Sequence, residues 1–464
     1  MMTESNPTAS SSRRRFALWQ GAAALSTLAL VPLATGAMAS VDSRTTDEIS
    51  RFMDVFLEVK SNYVEPVDDA KLIEGAINGM LASLDPHSGY LDASGFATLR
   101  TQTDGEYGGL GLSVTMEDGV VKVIAPTADT PADRAGIKAG DYITHINKEL
   151  IFGMTLDEAV AQMRGKPGTQ IEITIVREGR DKPMELTITR EIIDLKPVKW
   201  EVKGDIGVLT ISSFSADATR DLKGAMMAVE KSLGRRPRGW VLDLRSNPGG
   251  LLDEAVGVSD VFLERGEIVS QRGRRKGDIE RRFAQPGDLA HGAPVIVLID
   301  AGSASASEIV AGALQDQHRA VVMGERSFGK GSVQTVLPLT DTTALRLTTA
   351  RYYTPSGRSV QEGGIEPDIR VPQLTDPDYA TRPKYRENDL RRHLINEKKV
   401  DDSLLEKDDK LDPRFSATPE ELKTRGIKDF QLHYALETIG RIGPAARVAQ
   451  AGTPAAAKPA PRGN

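Results

Sequence analysis

The stretch Pro294-Val-Ile-Val-Leu-Ile-Asp300 restricts this chain more than any other. Its apolar residues do not alternate with polar ones, so both faces need cover. A run this short reads as a buried strand. Gly302-Ser-Ala-Ser-Ala-Ser307 follows as a tight turn, and Ile309, Val310, Ala313 and Leu314 then recur at helical spacing. Ala320-Val-Val-Met323 is a second β-like run, and it leads to Lys330 between Gly329 and Gly331. Strand, serine turn, helix and strand make a β-α-β unit, expected to be right-handed. Function gathers at the carboxyl end of the strand in such units, where the serine turn stands.

At 464 residues the chain has room for two to four domains. A net charge of −6 argues against a general nucleic-acid binder. The absence of cysteine excludes disulfides, thiol catalysis and zinc–thiolate sites. The six histidines are isolated, with no HxxxH or HxH pair, so neither a metal centre nor any other cofactor is expected.

Residues 1–39 read as an export signal. Arg13-Arg14-Arg15 precedes an apolar run from Phe16 to Ala34, and Ala37-Met38-Ala39 is an A-x-A cleavage signature. Ser12-Arg-Arg-Arg-Phe16 also fits the twin-arginine pattern S-R-R-x-F, so the export route stays open. Cleavage would release the protein into the periplasm or cell envelope. An uncleaved run would tether it to the inner membrane.

Residues 40–104 hold two helical stripes, Asp47–Tyr63 and Asp68–Leu84, suited to a hairpin, a dimer surface or packing on the main body. Residues 105–192 change texture to short strands with one helix, Thr155–Arg164. From 193 to 372 the pattern is α/β, with the buried strand Trp240-Val-Leu-Asp-Leu-Arg245 ending in Ser246-Asn-Pro-Gly-Gly250. Arg272-Gly-Arg-Arg-Lys-Gly277 reads as a solvated basic turn. Residues 373–451 form a charged, loose extension with one amphipathic segment, Asp429–Ile439, and 452–464 a Pro/Ala tail expected to be disordered.

The unit 105–192 resembles a PDZ domain. Gly109-Leu-Gly-Leu112 stands where that family keeps its carboxylate-binding loop, and Ala135-Gly136-Ile137 with Gly140-Asp141 matches the turn before its central strand. A glycine loop turns backbone N–H groups toward a peptide's terminal carboxylate, while the adjacent strand edge pairs with the peptide. Gly109, Leu110, Gly111 and Leu112 are therefore the expected tail-binding residues.

Ser303, Ser305 and Ser307 compete for the role of nucleophile. Ser305-Ala-Ser-Glu308 is also a capping box, with Ser305 as N-cap. A helix start also favours negative charge developing there, so spacing alone leaves cap and nucleophile both open. A serine nucleophile needs a base. His318 lies a helix-length from Ser305, and neither His87 nor His291 has an evident orienting partner in sequence. Lys330 is the alternative. An exposed lysine titrates near ~10.4, so a base working near neutrality needs a shift of roughly 2.5–3.5 units, which burial can supply. Gln334, four residues on, lies on the same face if the segment is a strand.

These motifs together resemble the carboxyl-terminal processing, or tail-specific, proteases. Ser303-Ala-Ser-Ala-Ser-Glu308, the 25-residue step from Ser305 to Lys330, and Phe328-Gly-Lys-Gly-Ser-Val-Gln334 carry the likeness. Leu84-Asp-Pro-His-Ser88, Asp243–Gly250, Arg351–Gly357 and Gly364-Ile-Glu-Pro-Asp368 extend it. The resemblance implies an α/β, multidomain fold: a ClpP/crotonase-like β-α-β protease core, an inserted PDZ β-barrel, and helical segments at both ends. It implies Ser305 as nucleophile, Lys330 as base and Gln334 orienting the lysine. It also implies an oxyanion hole from the N–H groups of Gly250 and Ala306, with Gly249 the alternative to Gly250. The expected partners are protein substrates with exposed carboxyl-terminal tails and no nucleic acid; a homodimer and a lipoprotein adaptor are further partners. Arg164 is a candidate contact for gating by the PDZ unit. The rival readings are a PDZ scaffold on an inert body, and a serine hydrolase using His87 or His318.

Overall fold

The computed structural model describes residues 43–117, 119–379, 381, 384–398, 412 and 414–442. The export signal expected over 1–39 and the tail over 452–464 lie outside the described residues. No helix among the described residues is long and apolar enough to cross a membrane.

The chain divides into Met1–Asn78 and Gly79–Asn464. In the first unit the helix Ser43–Asn62 leaves Ile49, Phe52, Met53 and Leu57 exposed. Lys60 pairs with Asp69 at 2.6 Å across the turn to the next helix.

The second unit is built on a six-stranded sheet. Its order is Val198–Lys203, Ile206–Ile211, Gly239–Asp243, Val295–Ile299, Val321–Gly324 and Ile369–Arg370. Only the first pair is antiparallel. Successive side chains of a strand point to opposite faces, and this sheet uses both. Val295, Val297 and Ile299 pack with the helices Ala218–Leu233, Leu252–Phe262 and Ala306–Asp316. Ile296 and Leu298 face the other way, onto Phe415, Leu422, Phe430, Ala435 and Ile439. The carboxyl-terminal segment is thus the second cover of the sheet. Reading the chain after Pro372 as charged and loose misses this, because the residues that bury are few and widely spaced among charges. The apolar stripe of Asp429–Ile439 is spent on this contact: a Cβ at Gly239 would stand 2.6 Å from Ile439.

A second, five-stranded sheet holds Gly89–Leu91, Ala344–Tyr353, Glu267–Gly273, Ile279–Phe283 and Ser332–Pro338. The basic run Arg272–Gly277 is the turn of its hairpin Glu267–Gly273 with Ile279–Phe283. The strand Ser332–Pro338 follows Lys330 directly, so this sheet places the lysine turn.

The barrel formed by strands between Leu112 and Thr189 has its own apolar core, with Val121, Ile143, Ile146, Ile173 and Ile175 fully buried. Its entering strand Glu106–Gly109 pairs antiparallel with its leaving strand Glu191–Asp194. That pairing brings the two chain crossings together, as an insertion into another domain requires.

Arg245 ties the last helix to the sheet. Its guanidinium pairs with Asp243 at 2.6 Å and Asp429 at 2.7 Å, and Asp429 also caps the helix Phe430–Arg441 by accepting the Leu432 N–H. Asp429→Ala removes the cap and a charged partner, and is expected to cost about 2–3 kcal/mol in denaturant unfolding. Asp429→Asn keeps the cap and should lose less than half of that.

Candidate active site

The serine turn stands at the carboxyl end of the buried strand Val295–Ile299. Of its three serines, two are structural. The Ser303 hydroxyl donates to the Leu244 carbonyl and the Ser307 hydroxyl to the Asn247 carbonyl, both at 2.9 Å, and both residues are fully buried. Ser305 is half-buried, with φ 54° and ψ −111°. A non-glycine residue at positive φ costs roughly 1–3 kcal/mol and persists only where its neighbours hold it. Here the Ala304 N–H donates to the Asn247 carbonyl at 3.0 Å, and the Tyr352 hydroxyl donates to the Ser305 carbonyl at 3.1 Å.

Glu308 supplies one half of the expected capping box. Its carboxylate accepts the Ser305 N–H at 2.7 Å, as a capping box requires. Ser305 occupies the N-cap, where the Glu308 N–H donates to its carbonyl at 2.9 Å; among the described hydrogen bonds none uses the Ser305 hydroxyl.

Glu308 does more than cap. It is fully buried and also accepts the Ser327 hydroxyl at 2.6 Å, the Gly329 N–H at 2.7 Å and the Lys330 N–H at 3.0 Å. One carboxylate therefore holds the serine turn and the lysine turn together. Burial pushes its pKa up to about 7, against the pull of those hydrogen bonds. Sequence reasoning took Glu308 only as the third residue of the cap. The missed signal is a charge set among residues 306–314, every one of which is buried.

The Lys330 amine donates to the Gln334 carbonyl oxygen and, at 3.3 Å, to the Ser332 carbonyl. Burial lowers its pKa to about 8; the carboxylates of Glu387, Glu308 and Asp85 oppose the shift, and Arg346 adds to it. Among the described hydrogen bonds none joins the amine to the Ser305 hydroxyl. The two residues share Glu308 rather than a direct bond.

Asn247, fully buried, shapes the Asn-Pro-Gly-Gly turn. Its side chain donates to the Ile211 carbonyl at 2.8 Å and accepts the Gly249 N–H at 2.9 Å. The Gly249 N–H is therefore occupied, whereas among the described hydrogen bonds none uses the N–H of Gly250 or of Ala306. Gly249 has φ 105°, and a Cβ there would stand 2.9 Å from the Ser305 Cβ and 3.0 Å from the Ala306 nitrogen. Only glycine lets the two turns meet.

The histidines go elsewhere. His87 pairs with the fully buried Glu387 at 2.8 Å, His393 with Glu362 at 2.8 Å, and His318 stands beyond the far end of the helix Ala306–Asp316. Among the described hydrogen bonds none joins a histidine to Ser305.

On the barrel, Gly109, Leu110, Gly111 and Leu112 line one cleft with Tyr107, Val160, Met163 and Arg164. The Leu110 carbonyl accepts the Ala132 N–H at 2.9 Å and the Gly111 carbonyl the Thr127 N–H at 2.8 Å, which anchors the glycine loop. The Arg164 guanidinium lies 4.7 Å over the Tyr107 ring.

A doubly covered α/β sheet with a serine turn at a strand end, preceded in the chain by a PDZ barrel, defines a PDZ-bearing serine peptidase. The family models agree: Peptidase family S41 matches residues 205–371, the PDZ domain 108–188, and the activating protease CtpB N-terminal domain 30–95. A carboxy-terminal-processing protease of Bartonella bacilliformis is 50% identical over 374 residues, covering 80% of this chain and 86% of the relative. The carboxy-terminal processing protease CtpA of Bacillus subtilis is 36% identical over 328 residues, covering 70% and 69%. The solved structure of a photosystem II D1 C-terminal processing protease is 30% identical, covers 69% of this chain and 92% of its own, and has a TM-score of 0.41. The chain belongs to the carboxy-terminal-processing proteases of peptidase family S41.

Glu308→Gln keeps the side-chain volume but turns an amide N–H toward donors that need an acceptor. Its kcat should fall by at least about a hundredfold, and unfolding in urea should lose roughly 2–4 kcal/mol.

Proposed function

We propose that this protein is an exported serine endopeptidase that captures protein carboxyl-terminal tails in its PDZ cleft and cleaves them by a serine–lysine mechanism. The observation that carries the mechanism is the hydrogen-bond inventory of Lys330. A neutral amine has two hydrogens and one lone pair. Its two acceptors, Gln334 Oε1 and the Ser332 carbonyl, occupy both hydrogens and leave the lone pair uncommitted. An ammonium would carry a third hydrogen with no partner among these contacts, which is consistent with a pKa lowered to about 8.

The steps follow. Lys330 takes the Ser305 proton as the oxygen attacks the scissile carbonyl. The oxyanion is met by the N–H groups of Gly250 and Ala306, two donors already in place when charge develops. The lysine ammonium passes its proton to the leaving amine, which departs as the new amino terminus. Water then hydrolyses the acyl-enzyme with Lys330 again as base. Gln334 orients the amine throughout. Nothing in these steps calls for a metal or nucleotide.

Leu110, Leu112, Val160 and Met163 give the PDZ cleft apolar walls, which suits a tail with an apolar last residue. Residues 1–39 direct the chain to the periplasm or envelope. The apolar stripe of Ser43–Asn62 is the surface proposed for a homodimer, since Ile49, Phe52, Met53 and Leu57 are exposed in the single chain.

Ser305→Ala should bind tail peptides with unchanged affinity and cleave nothing. Residual proteolysis at the parent rate would remove Ser305 from the mechanism. His87→Gln should stay within an order of magnitude of the parent, whereas Lys330→Ala should be inactive. The base works unprotonated, so kcat/KM should rise about tenfold per pH unit below ~7 and level off above ~9. Glu387→Gln removes a carboxylate that raises the Lys330 pKa and should move the midpoint to lower pH. A flat profile between pH 6 and 9 would count against the lysine base.

A further inference from the structure

Asp85 lies in the turn Leu84-Asp-Pro-His-Ser88, far in sequence from both catalytic candidates, and is only 3% exposed. It accepts the N–H groups of His87 and Ser88 at 2.8 and 2.9 Å, and the Ser88 hydroxyl at 2.8 Å. An aspartate that merely shaped its own turn would need no more. Asp85 has a further partner, the Thr348 hydroxyl at 3.1 Å, on the long strand of the second sheet.

That contact sets a direction. A carboxylate only accepts, and a threonine hydroxyl has one hydrogen. The Ser88 hydroxyl, also 3.4 Å from Thr348, spends its hydrogen on Asp85; with the Thr348 hydrogen on Asp85 as well, Thr348 turns lone pairs toward the Gln334 side-chain nitrogen at 3.2 Å. The second hydrogen of that nitrogen goes to the Ser332 hydroxyl oxygen at 3.0 Å. Both amide hydrogens are then committed, and Oε1 is the end left for Lys330. A Gln334 turned by half a rotation would aim an N–H at the amine and occupy the lone pair that must take the Ser305 proton.

We propose that Asp85, acting through Thr348, is a positioning residue that fixes which end of the Gln334 amide meets Lys330 and so keeps the amine's lone pair free. The inference rests on Lys330 being the base. Burial alone would raise the Asp85 pKa, but hydrogen bonds from Ser88, His87 and Thr348 hold it below the ordinary carboxylate range. Asp85 is therefore an obligate acceptor across the pH range in which the lysine titrates.

The test is steady-state cleavage of denatured, fluorescein-labelled casein by the full chain across pH 6–10, with Lys330→Ala as reference. Thr348→Val breaks the relay without changing charge, and Thr348→Ser restores the hydroxyl. Asp85→Asn and Thr348→Val should each lower plateau kcat by about 10–100-fold with KM within about threefold, while Thr348→Ser stays near the parent. The Thr348→Val profile should shift to lower pH, because an N–H from a turned Gln334 favours the neutral amine. A loss of folded protein alone would not move a pH midpoint. The double variant should be no worse than the worse single, since both break one relay. Parent kcat and midpoint in Thr348→Val, or multiplicative losses in the double variant, would overturn the relay while leaving the base intact. Activity in Lys330→Ala would instead overturn the base and the relay with it. If Asp85→Asn does not fold, the comparison of Thr348→Val with Thr348→Ser decides alone.

Discussion

Everything at this site hangs on one buried carboxylate. Glu308 accepts hydrogen bonds from Ser305, Ser327, Gly329 and Lys330, residues of two turns that the sheet alone would not join. An unpaired buried charge is severely unfavourable, so the carboxylate is tolerable only with its donors in place. The same requirement works in reverse: the donors come from both turns, so the turns cannot separate without stranding the charge. The strained backbone of Ser305 is held by the same contact, since its N–H is one of the donors.

Around that carboxylate the second sheet and the residues packed on it hold the lysine turn. The single hydroxyl hydrogen of Tyr352 is shared between the carbonyls of Lys330 and Ser305, the Lys330 contact being the shorter. Residues 386–387 clamp the lysine turn from outside: the Arg386 guanidinium donates to the Arg326 and Ser327 carbonyls, and the Glu387 N–H to the Phe328 carbonyl at 3.1 Å. Two terms therefore oppose each other at the amine. Burial lowers its pKa, and the nearby carboxylates Glu387, Glu308 and Asp85 raise it, with the balance at about 8. A drier site with fewer carboxylates would hold the amine neutral at lower pH and make it a weaker base.

The sequence made the central layer legible because its signals are local. The unbroken run Pro294–Asp300 must be buried, and the serine turn and helix after it need only short-range patterns. Ser305, Lys330 and Gln334 stood out through motif resemblance, and Lys330 and Gln334 do meet. What stayed hidden is whatever depends on pairing between distant segments. Asp85 reaches Thr348 across 263 residues, and Arg245 reaches Asp429 across 184. Neither spacing has a periodicity to betray it. The second sheet was missed for a related reason. Its strands lie partly exposed at the surface, as in Ile279–Phe283, so their polar residues read as loop.

The same long-range pairing bears on how the PDZ barrel meets the active site. At its neck the Leu195 N–H donates to the Gly105 carbonyl at 2.8 Å and the Ala216 N–H to the Thr103 carbonyl at 2.9 Å. Gly105 packs so closely on Ser215 that a Cβ there would stand 2.7 Å from its hydroxyl. Phe214, the next residue back, is fully buried and bridges to Gly250, its N–H donating to the Gly249 carbonyl and its carbonyl accepting the Leu251 N–H. The neck and the proposed oxyanion turn thus grip neighbouring residues of one short segment. Both backbone groups of Phe214 are committed to the glycine turn, and the next two residues, Ser215 and Ala216, meet Gly105 and Thr103. The glycine turn is accordingly held from two sides, by Asn247 through the Gly249 N–H and by Phe214, whose neighbours Ser215 and Ala216 meet the barrel's neck.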